Sequence, residues 1–377
     1  MFYFDNAATG GRKPDSVLTA VASAIKVCAN PGRSGHKLSL SCAATVQNCR
    51  YALDHFFDGY SYDRVAFTKN CTEALNLALF GTLTQGDHVI VSCMEHNSVL
   101  RPLEQLKQLG KITYDVCPLE NSNEGVNLSL SHLKTLLRPN TKLVAITAAS
   151  NVTGTIPDLT AVRQILPKNT LLLCDAAQGA GHFKIKMKEA GIDLLTIAGH
   201  KGMLGIQGSG ALLFSERVNP SPLLYGGTGS VSLSLDMPDF YPDCLEAGTL
   251  SFPAIVSLLE GTHYLTVHAN EITEKLTALT TKLLHGLKAL PQYEAFSIKN
   301  PCGIVAFRHK SKQSEQIAEL LSSKYGFAVR GGLHCAPLMH EELGTLDGGL
   351  VRASFSHYNS EREIDMFLSA LQTITDN

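Results

Sequence analysis

Five short apolar runs end in residues whose types could do chemistry together. Leu171–Asp175 (LLLCD) closes on a carboxylate, Asp175, and Gln178 follows in D-A-A-Q. Leu194–Ala198 (LLTIA) leads through Gly199 into His200 and Lys201, an imidazole beside a primary amine. Leu143–Ala148 (LVAITA) is followed by Ser150 and Asn151 ahead of V-T-G-T, and His88–Ser92 (HVIVS) by Met94-Glu95-His96-Asn97. Arg64–Thr68 (RVAFT) runs into Lys69-Asn70-Cys71-Thr72-Glu73, a helix start whose free N–H groups suit a phosphate. Taken singly, each has an ordinary reading: a solvated lysine, a structural histidine, a carboxylate in a turn, a plain helix start. Open α/β sheets, however, bind ligands at the C-terminal ends of their strands, so these ends converge on one crevice. A carboxylate, an amine, an imidazole and a phosphate seat are what pyridoxal phosphate needs: a Schiff-base lysine, a partner for the pyridinium nitrogen and phosphate anchors.

The elements that must position these groups follow from the pattern of the runs. With Ile112–Cys117 (ITYDVC) and Ala211–Phe214 (ALLF) added they number seven, continuously apolar and rich in Val, Ile and Leu, as strands buried on both faces should be. Segments with helical spacing lie between most of them, among them Thr72–Thr84, Ser98–Leu109 and Leu159–Leu166. That alternation predicts a mostly parallel α/β sheet. Between the last two runs lie Gly199, Gly202, Gly205, Gly208 and Gly210, which predicts a glycine loop rather than a helix. After about Phe252 the texture changes. A long helix, roughly Ala254–Leu290, is expected to act as the hinge to a smaller α+β domain. That domain contains strand Gly303–Arg308, helix Ser314–Tyr325, strand Val351–Phe355 and helix Ser360–Thr373.

Composition narrows the function classes. The chain of 377 residues carries 32 Lys plus Arg against 34 Asp plus Glu, a net charge of −2, which argues against nucleic acid or an anionic membrane as the main partner. Charged residues are 18% of the chain, below the usual ~25%, so surface can be buried against a second subunit. None of the ten cysteines has C-x-x-C spacing, and most, like Cys93 and Cys174, lie in apolar runs; no metal site is expected. No G-x-x-x-x-G-K-[ST], G-x-G-x-x-G after the first strand, H-E-x-x-H or G-x-S-x-G occurs. The N-terminus lacks the basic start and apolar stretch of a signal peptide, and no run reaches ~18 apolar residues. A reduced, cytoplasmic protein is expected.

The sequence resembles, almost end to end, the fold-type I pyridoxal-phosphate enzymes of aminotransferase class V, and among them the NifS/SufS-type cysteine desulfurases of the Suf-like group. The resemblance is carried by Asp5-Asn6-Ala7-Ala8-Thr9, M-E-H-N, S-N-V-T-G, D-A-A-Q, G-H-K, E-A-G-T at Glu246–Thr249, R-G-G-L-H-C-A-P at Arg330–Pro337 and V-R-A-S-F at Val351–Phe355. It implies an N-terminal arm (1–13) packed with the small domain, a large cofactor domain (14–262) with a seven-stranded sheet, and a small domain (263–377) carrying a Cys loop. It implies that Lys201 forms the Schiff base and moves the substrate Cα proton, that Asp175 faces the pyridinium nitrogen and that His96 stacks on the ring. Asn151 and Gln178 would bond near the phenolic oxygen. Cys71, Thr72 and His200 would seat the phosphate, with Thr249 reaching over from a neighbouring subunit. Arg352 would hold the substrate carboxylate by a bidentate fork, with Asn6, His334 and Arg330 also toward substrate. Cys335 would attack the sulfur of L-cysteine, leaving alanine and a persulfide, its thiolate favoured by Arg330 and His334.

A homodimer and a sulfur-acceptor protein are implied as well. The sequence departs from the family at Ala198, where Ser or Thr usually gives the phosphate a hydrogen bond, at the loop GMLGIQGSG after Lys201, and at Leu333, where a second His is common. The Gly226–Ser230 run reads as an anion nest or, more simply, as a flexible loop. Three alternatives stay open: a selenocysteine lyase acting on L-selenocysteine, a class V aminotransferase-like enzyme with Cys335 idle, and a cofactor-binding sensor, against which the thiol argues.

Overall fold

The computed structural model describes residues 1–27, 29–31, 34–122 and 125–374. In chain order its strands are β1 (Phe2–Tyr3), β2 (Val65–Thr68), β3 (Asp87–Ser92), β4 (Ile112–Cys117), β5 (Leu119–Ser122), β6 (Gly125–Leu128) and β7 (Thr141–Thr147). They continue with β8 (Leu171–Asp175), β9 (Leu194–Ala198), β10 (Gly210–Phe214), β11 (Tyr293–Ala295), β12 (Ile304–His309), β13 (Phe327–Ala328) and β14 (Val351–Ser354).

The seven apolar runs form one sheet in the order β2-β10-β9-β8-β7-β3-β4. All neighbours are parallel except β10, which runs antiparallel to both β2 and β9. The reason is the glycine connector before it: a parallel return needs a crossover of a dozen or more residues, usually a helix, and this loop is too short. Alternation of side chains splits the strands between two cores. Ile90, Val144, Ile146, Leu172, Cys174, Leu195 and Ile197 pack on one face; Val89, Val91, Leu143, Ala145, Leu173 and Leu212 pack on the other. Helices cover both faces, and each fully buried Leu or Ile contributes about 1.5–3 kcal/mol. The sheet is therefore a stiff platform.

A second, three-stranded antiparallel sheet, β11-β12-β14, is backed by helices Ser314–Tyr325 and Glu361–Thr373. The helix Phe252–Lys288 starts among residues of the large sheet's core and ends among those of the small sheet. The chain's first residues join the small sheet's side: β1 pairs parallel with β13. Phe4, with no exposed surface, meets the rings of Phe327, Phe355 and Phe367 at centroid distances of 5.3, 4.9 and 5.3 Å.

Element edges differ from the sequence expectation by a residue or two, as at Cys71–Thr82, Asn97–Gln108 and Leu159–Ile165, where caps rather than apolar spacing decide the ends. Of the described cysteines, eight are buried and free, and Cys335 is half-buried; Cys28 lies outside the described residues. Among the described residues no His/Cys/Asp/Glu group is arranged to hold a metal ion, and no helix is long and apolar enough to cross a membrane.

Candidate active site

The C-terminal ends of β3, β7, β8 and β9 open into a cleft of about 810 Å³, counting its mouth, roofed by residues of the small sheet's side. Lys201 follows β9 and stands on its floor. Its Nζ makes no hydrogen bond or ion pair with the described residues, and burial pushes the amine below its usual value while Asp175 opposes that. The turn is tight because Gly202 has no side chain: a Cβ there would lie 2.2 Å from the Ala180 carbonyl. Asp175 ends β8 and is 3% exposed. Its Oδ1 accepts from Ala177 N at 2.9 Å and lies 3.4 Å from the Cys71 thiol, while Oδ2 has no partner among the described residues.

Cys71 opens the helix Cys71–Thr82, whose N-cap Asn70 accepts from Glu73 N at 2.9 Å. The N–H groups of Cys71 and Thr72 are left without acceptors among the described residues, as the first turn of a helix must leave them. Together with the helix dipole they form an anion seat. Ala198 lines the same cleft and supplies no hydroxyl. His96 caps the next helix, Asn97–Gln108, its Nδ1 accepting from Ser98 N at 3.0 Å. Burial lowers this imidazole to about 4, so it is neutral at physiological pH. His200 is likewise lowered to about 4 by burial, and its Nδ1 lies 3.0 Å from Thr9 Oγ1. Gln178 donates from Nε2 to Ala7 O at 2.8 Å, leaving Oε1 buried without a partner.

The roof carries the positive charge. Arg352, on β14 and 1% exposed, donates from Nη1 to Asn151 O and from Nη2 to Asp5 Oδ1, each at 2.9 Å, while its Nε is buried and unpartnered. Asn151 in turn donates from Nδ2 to His334 O at 2.7 Å. Arg330 also lines the cleft, and its Nη2 lies 3.7 Å from Cys335 Sγ. Cys335, half-buried, follows the lining residue His334 and is itself absent from the lining; its carbonyl accepts from Asn97 N at 2.7 Å.

The geometry refines the sequence reading at several positions. His334 does not support a Cys335 thiolate: its Nε2 lies 3.0 Å from Leu350 O, an acceptor, so Nε2 carries the hydrogen. Burial holds this ring well below its usual value and therefore neutral, which leaves Arg330 as the cation beside the thiol. Asn6 is absent from the cleft lining; its Nδ2 donates to Tyr3 O and, across to β14, to Ser354 O, its Oδ1 accepts from Gly11 N, and it lines an adjoining cavity that Lys201 shares. Thr249 lies elsewhere, in a separate cavity with Phe67, Lys69 and Leu250. Its motif partner Glu246 has a structural task, a buried pair with Arg50 at 2.6 Å and a bond from Phe67 N at 2.6 Å.

Two groups at the site were missed from sequence. Asp5 was read only as part of a motif, yet it is the ion-pair partner of Arg352. Glu95 is wholly buried, its Oε1 accepting from Ser92 Oγ at 2.5 Å and Thr147 N at 2.7 Å, with Oε2 unpartnered. Burial raises it to about 8, so it is a neutral acid at physiological pH. A carboxyl next to His96 in an apolar strand end was the available signal.

The sequence profile of aminotransferase class V matches residues 2–367. A probable cysteine desulfurase of Methanothermobacter thermautotrophicus is 31% identical, over 99% of this chain and 94% of its own length. One of Pyrococcus abyssi is 30% identical over the same shares. Among solved structures, the apo cysteine desulfurase of Thermococcus onnurineus superposes with a TM-score of 0.88 at 29% identity, covering 98% of this chain and 94% of that one. The cysteine desulfurase CsdA of Escherichia coli gives 0.87 at 27%, covering 98% and 93%. A mostly parallel sheet, a lysine and a carboxylate on adjacent strand ends, and likeness along nearly the whole chain agree: this chain belongs to aminotransferase class V, among relatives named as cysteine desulfurases.

Proposed function

We propose that the protein is a pyridoxal-phosphate-dependent cysteine desulfurase that moves the sulfur of L-cysteine onto Cys335 and releases L-alanine. The observation that carries this reading is the Cys335 thiol 3.7 Å from Nη2 of Arg330, a residue that lines the cleft with Lys201 and Asp175. The residues fit the cofactor: two free helix N–H groups for a phosphate, an unpartnered buried Gln178 Oε1, an unpartnered Asp175 Oδ2 and a free amine. Lys201, Asp175, His96, Gln178, Cys71, Thr72 and His200 would hold it. When bound, pyridoxal phosphate supplies an electron sink for negative charge developing at the substrate Cα.

The chain's own residues then divide the work. Arg352 holds the substrate carboxylate, and Asp175 keeps a proton on the ring nitrogen. Lys201, an amine depressed by burial, takes the proton from the substrate Cα. Cys335 attacks as thiolate, with Arg330 Nη2 3.7 Å from its sulfur. An S–S bond forms between Cys335 and the substrate sulfur as the substrate's C–S bond breaks. The released electron pair is protonated at Cβ to give the methyl group of alanine, and Lys201 returns a proton to Cα. L-Cysteine plus the Cys335 thiol give L-alanine plus a Cys335 persulfide, so no outside oxidant is needed.

The same reading includes a homodimer. Its support is a set of exposed apolar side chains within 224–235: Leu224, which lines Thr249's cavity, with Tyr225, Leu233 and Leu235, the last two fully exposed. Light scattering on the purified protein should give twice the chain mass. The activity is tested by the visible spectrum and by alanine and sulfide formed from L-cysteine, with Cys335→Ala alongside. A yellow protein that makes alanine only with Cys335 intact is the expected result. Alanine from L-selenocysteine alone would favour a lyase, and alanine formation surviving Cys335→Ala would remove the thiol's role.

A further inference from the structure

The segment Phe4–Lys13 lies between the two halves of the cleft and touches both. Toward the small sheet, Ser354 N donates to Phe4 O at 2.7 Å and Ala7 N donates to Ser354 Oγ at 2.9 Å. Toward the large sheet, Gln178 Nε2 donates to Ala7 O at 2.8 Å, and Lys13 Nζ donates to His200 O at 2.9 Å. Phe4 anchors the segment in the aromatic cluster, so Asp5, next to it, has little freedom. Its Oδ1 meets Arg352 Nη2 at 2.9 Å, with the arginine side chain 1% exposed and the carboxylate 22% exposed.

A buried guanidinium needs its charge balanced and its donors placed. Here Asp5 and Asn151 O each take one N–H, of Nη2 and of Nη1, and three of the five N–H donors remain, the wholly unpartnered Nε–H among them. We propose that Asp5 is a positioning residue for substrate recognition. With the Asn151 carbonyl it fixes the plane of the Arg352 guanidinium, which lines the cleft, and leaves its remaining N–H donors for the carboxylate of an amino acid. Asp5 also offsets part of the positive charge contributed by Arg352 and Arg330, so those donors bind a single well-placed carboxylate rather than any anion. The inference rests on the reading of Arg352 as the carboxylate anchor and deepens it.

The test compares Asp5→Ala, which loses both the charge and the acceptor, with Asp5→Asn, which keeps an acceptor oxygen, and with Arg352→Lys as control. Two quantities are read on the cofactor-loaded protein: KM and kcat for L-cysteine, and the dissociation constant of L-alanine from the change it causes in the visible band. Loss of a charge-assisted bond that acts on binding alone should raise KM and the L-alanine constant together by about ten-fold in Asp5→Ala, with kcat within about two-fold. Asp5→Asn should recover part of that loss. The proposal is overturned if both Asp5 variants leave KM and the L-alanine constant at wild-type values while Arg352→Lys raises them. It is also overturned if kcat alone falls. An Arg352→Lys protein with unchanged constants would instead remove the carboxylate reading itself. Should Asp5→Ala fail to fold, Asp5→Asn carries the comparison, and unchanged constants there overturn the proposal.

Discussion

The floor and the roof of the cleft are built by different means. Lys201, Asp175 and His96 follow or end β9, β8 and β3, strands that are buried throughout or nearly so. Their positions are set by sheet register and helix caps. The roof segment Arg330–Ala336 is irregular chain, and in it His334 and Cys335 both adopt left-handed backbone, at φ 50° and 59°. Each such residue costs about 1–3 kcal/mol unless its surroundings over-determine it. The surroundings here do so: Asn151 Nδ2 and Asn97 N donate to the His334 and Cys335 carbonyls, and the His334 ring is tied to Leu350 O. The groups that hold a cofactor and move a proton thus stand on a rigid platform. The thiol that must carry sulfur away stands on a loop whose shape depends on a few anchors.

The largest expected effects separate the two regions. Lys201→Ala should remove both the yellow band and alanine formation, the rate falling by at least about 10³-fold, because the floor serves both. Cys335→Ser should lower alanine formation by at least about 10²-fold and leave the band unchanged, since the thiol acts only in the sulfur step. Spectra and alanine assays on both proteins check this, and a Cys335→Ser protein that loses its colour would contradict a separable roof.

Much of this division was legible in the sequence, and the limits have physical causes. Seven apolar runs, five of them ending in polar residues, pointed to the sheet and to Lys201, Asp175, His96 and the helix start at Cys71, because strand-end chemistry is local in the chain. The reversed direction of β10 followed from a connector already recognised as glycine loop. Pairings across the chain were not legible. Asp5 and Arg352 are 347 residues apart, and Arg50 and Glu246 are 196 apart, so nothing local joins them. The orientation of His334 was also hidden, since only the folded loop shows that its ring faces a carbonyl rather than the thiol.

A second prediction sharpens the floor. Glu95 is raised from 4.5 to about 8 by burial, so the folded protein binds a proton the unfolded chain releases. That contribution to stability is full below pH about 4.5 and is lost as pH rises through about 8. Melting temperatures of wild type and Glu95→Gln should therefore diverge across that window, the wild type falling relative to the variant as pH rises. Parallel curves would mean that Glu95 is ionised in the fold.

The smallest effect concerns the phosphate seat. Ala198→Ser should restore one hydrogen-bond donor worth about 1 kcal/mol, tightening cofactor retention about five-fold. Equilibrium dialysis against cofactor-free buffer measures it, and equal retention would show that residue 198 does not face the phosphate.

Sulfur transfer to Cys335 is tested most directly by the mass of the Cys335 peptide after the loaded protein has met L-cysteine without reductant. The expected mass is that of one added sulfur on Cys335, with alanine formed in equal amount in the first turnover. Alanine formed with no sulfur on Cys335, or amine transferred to a keto acid with the thiol unchanged, would contradict that transfer.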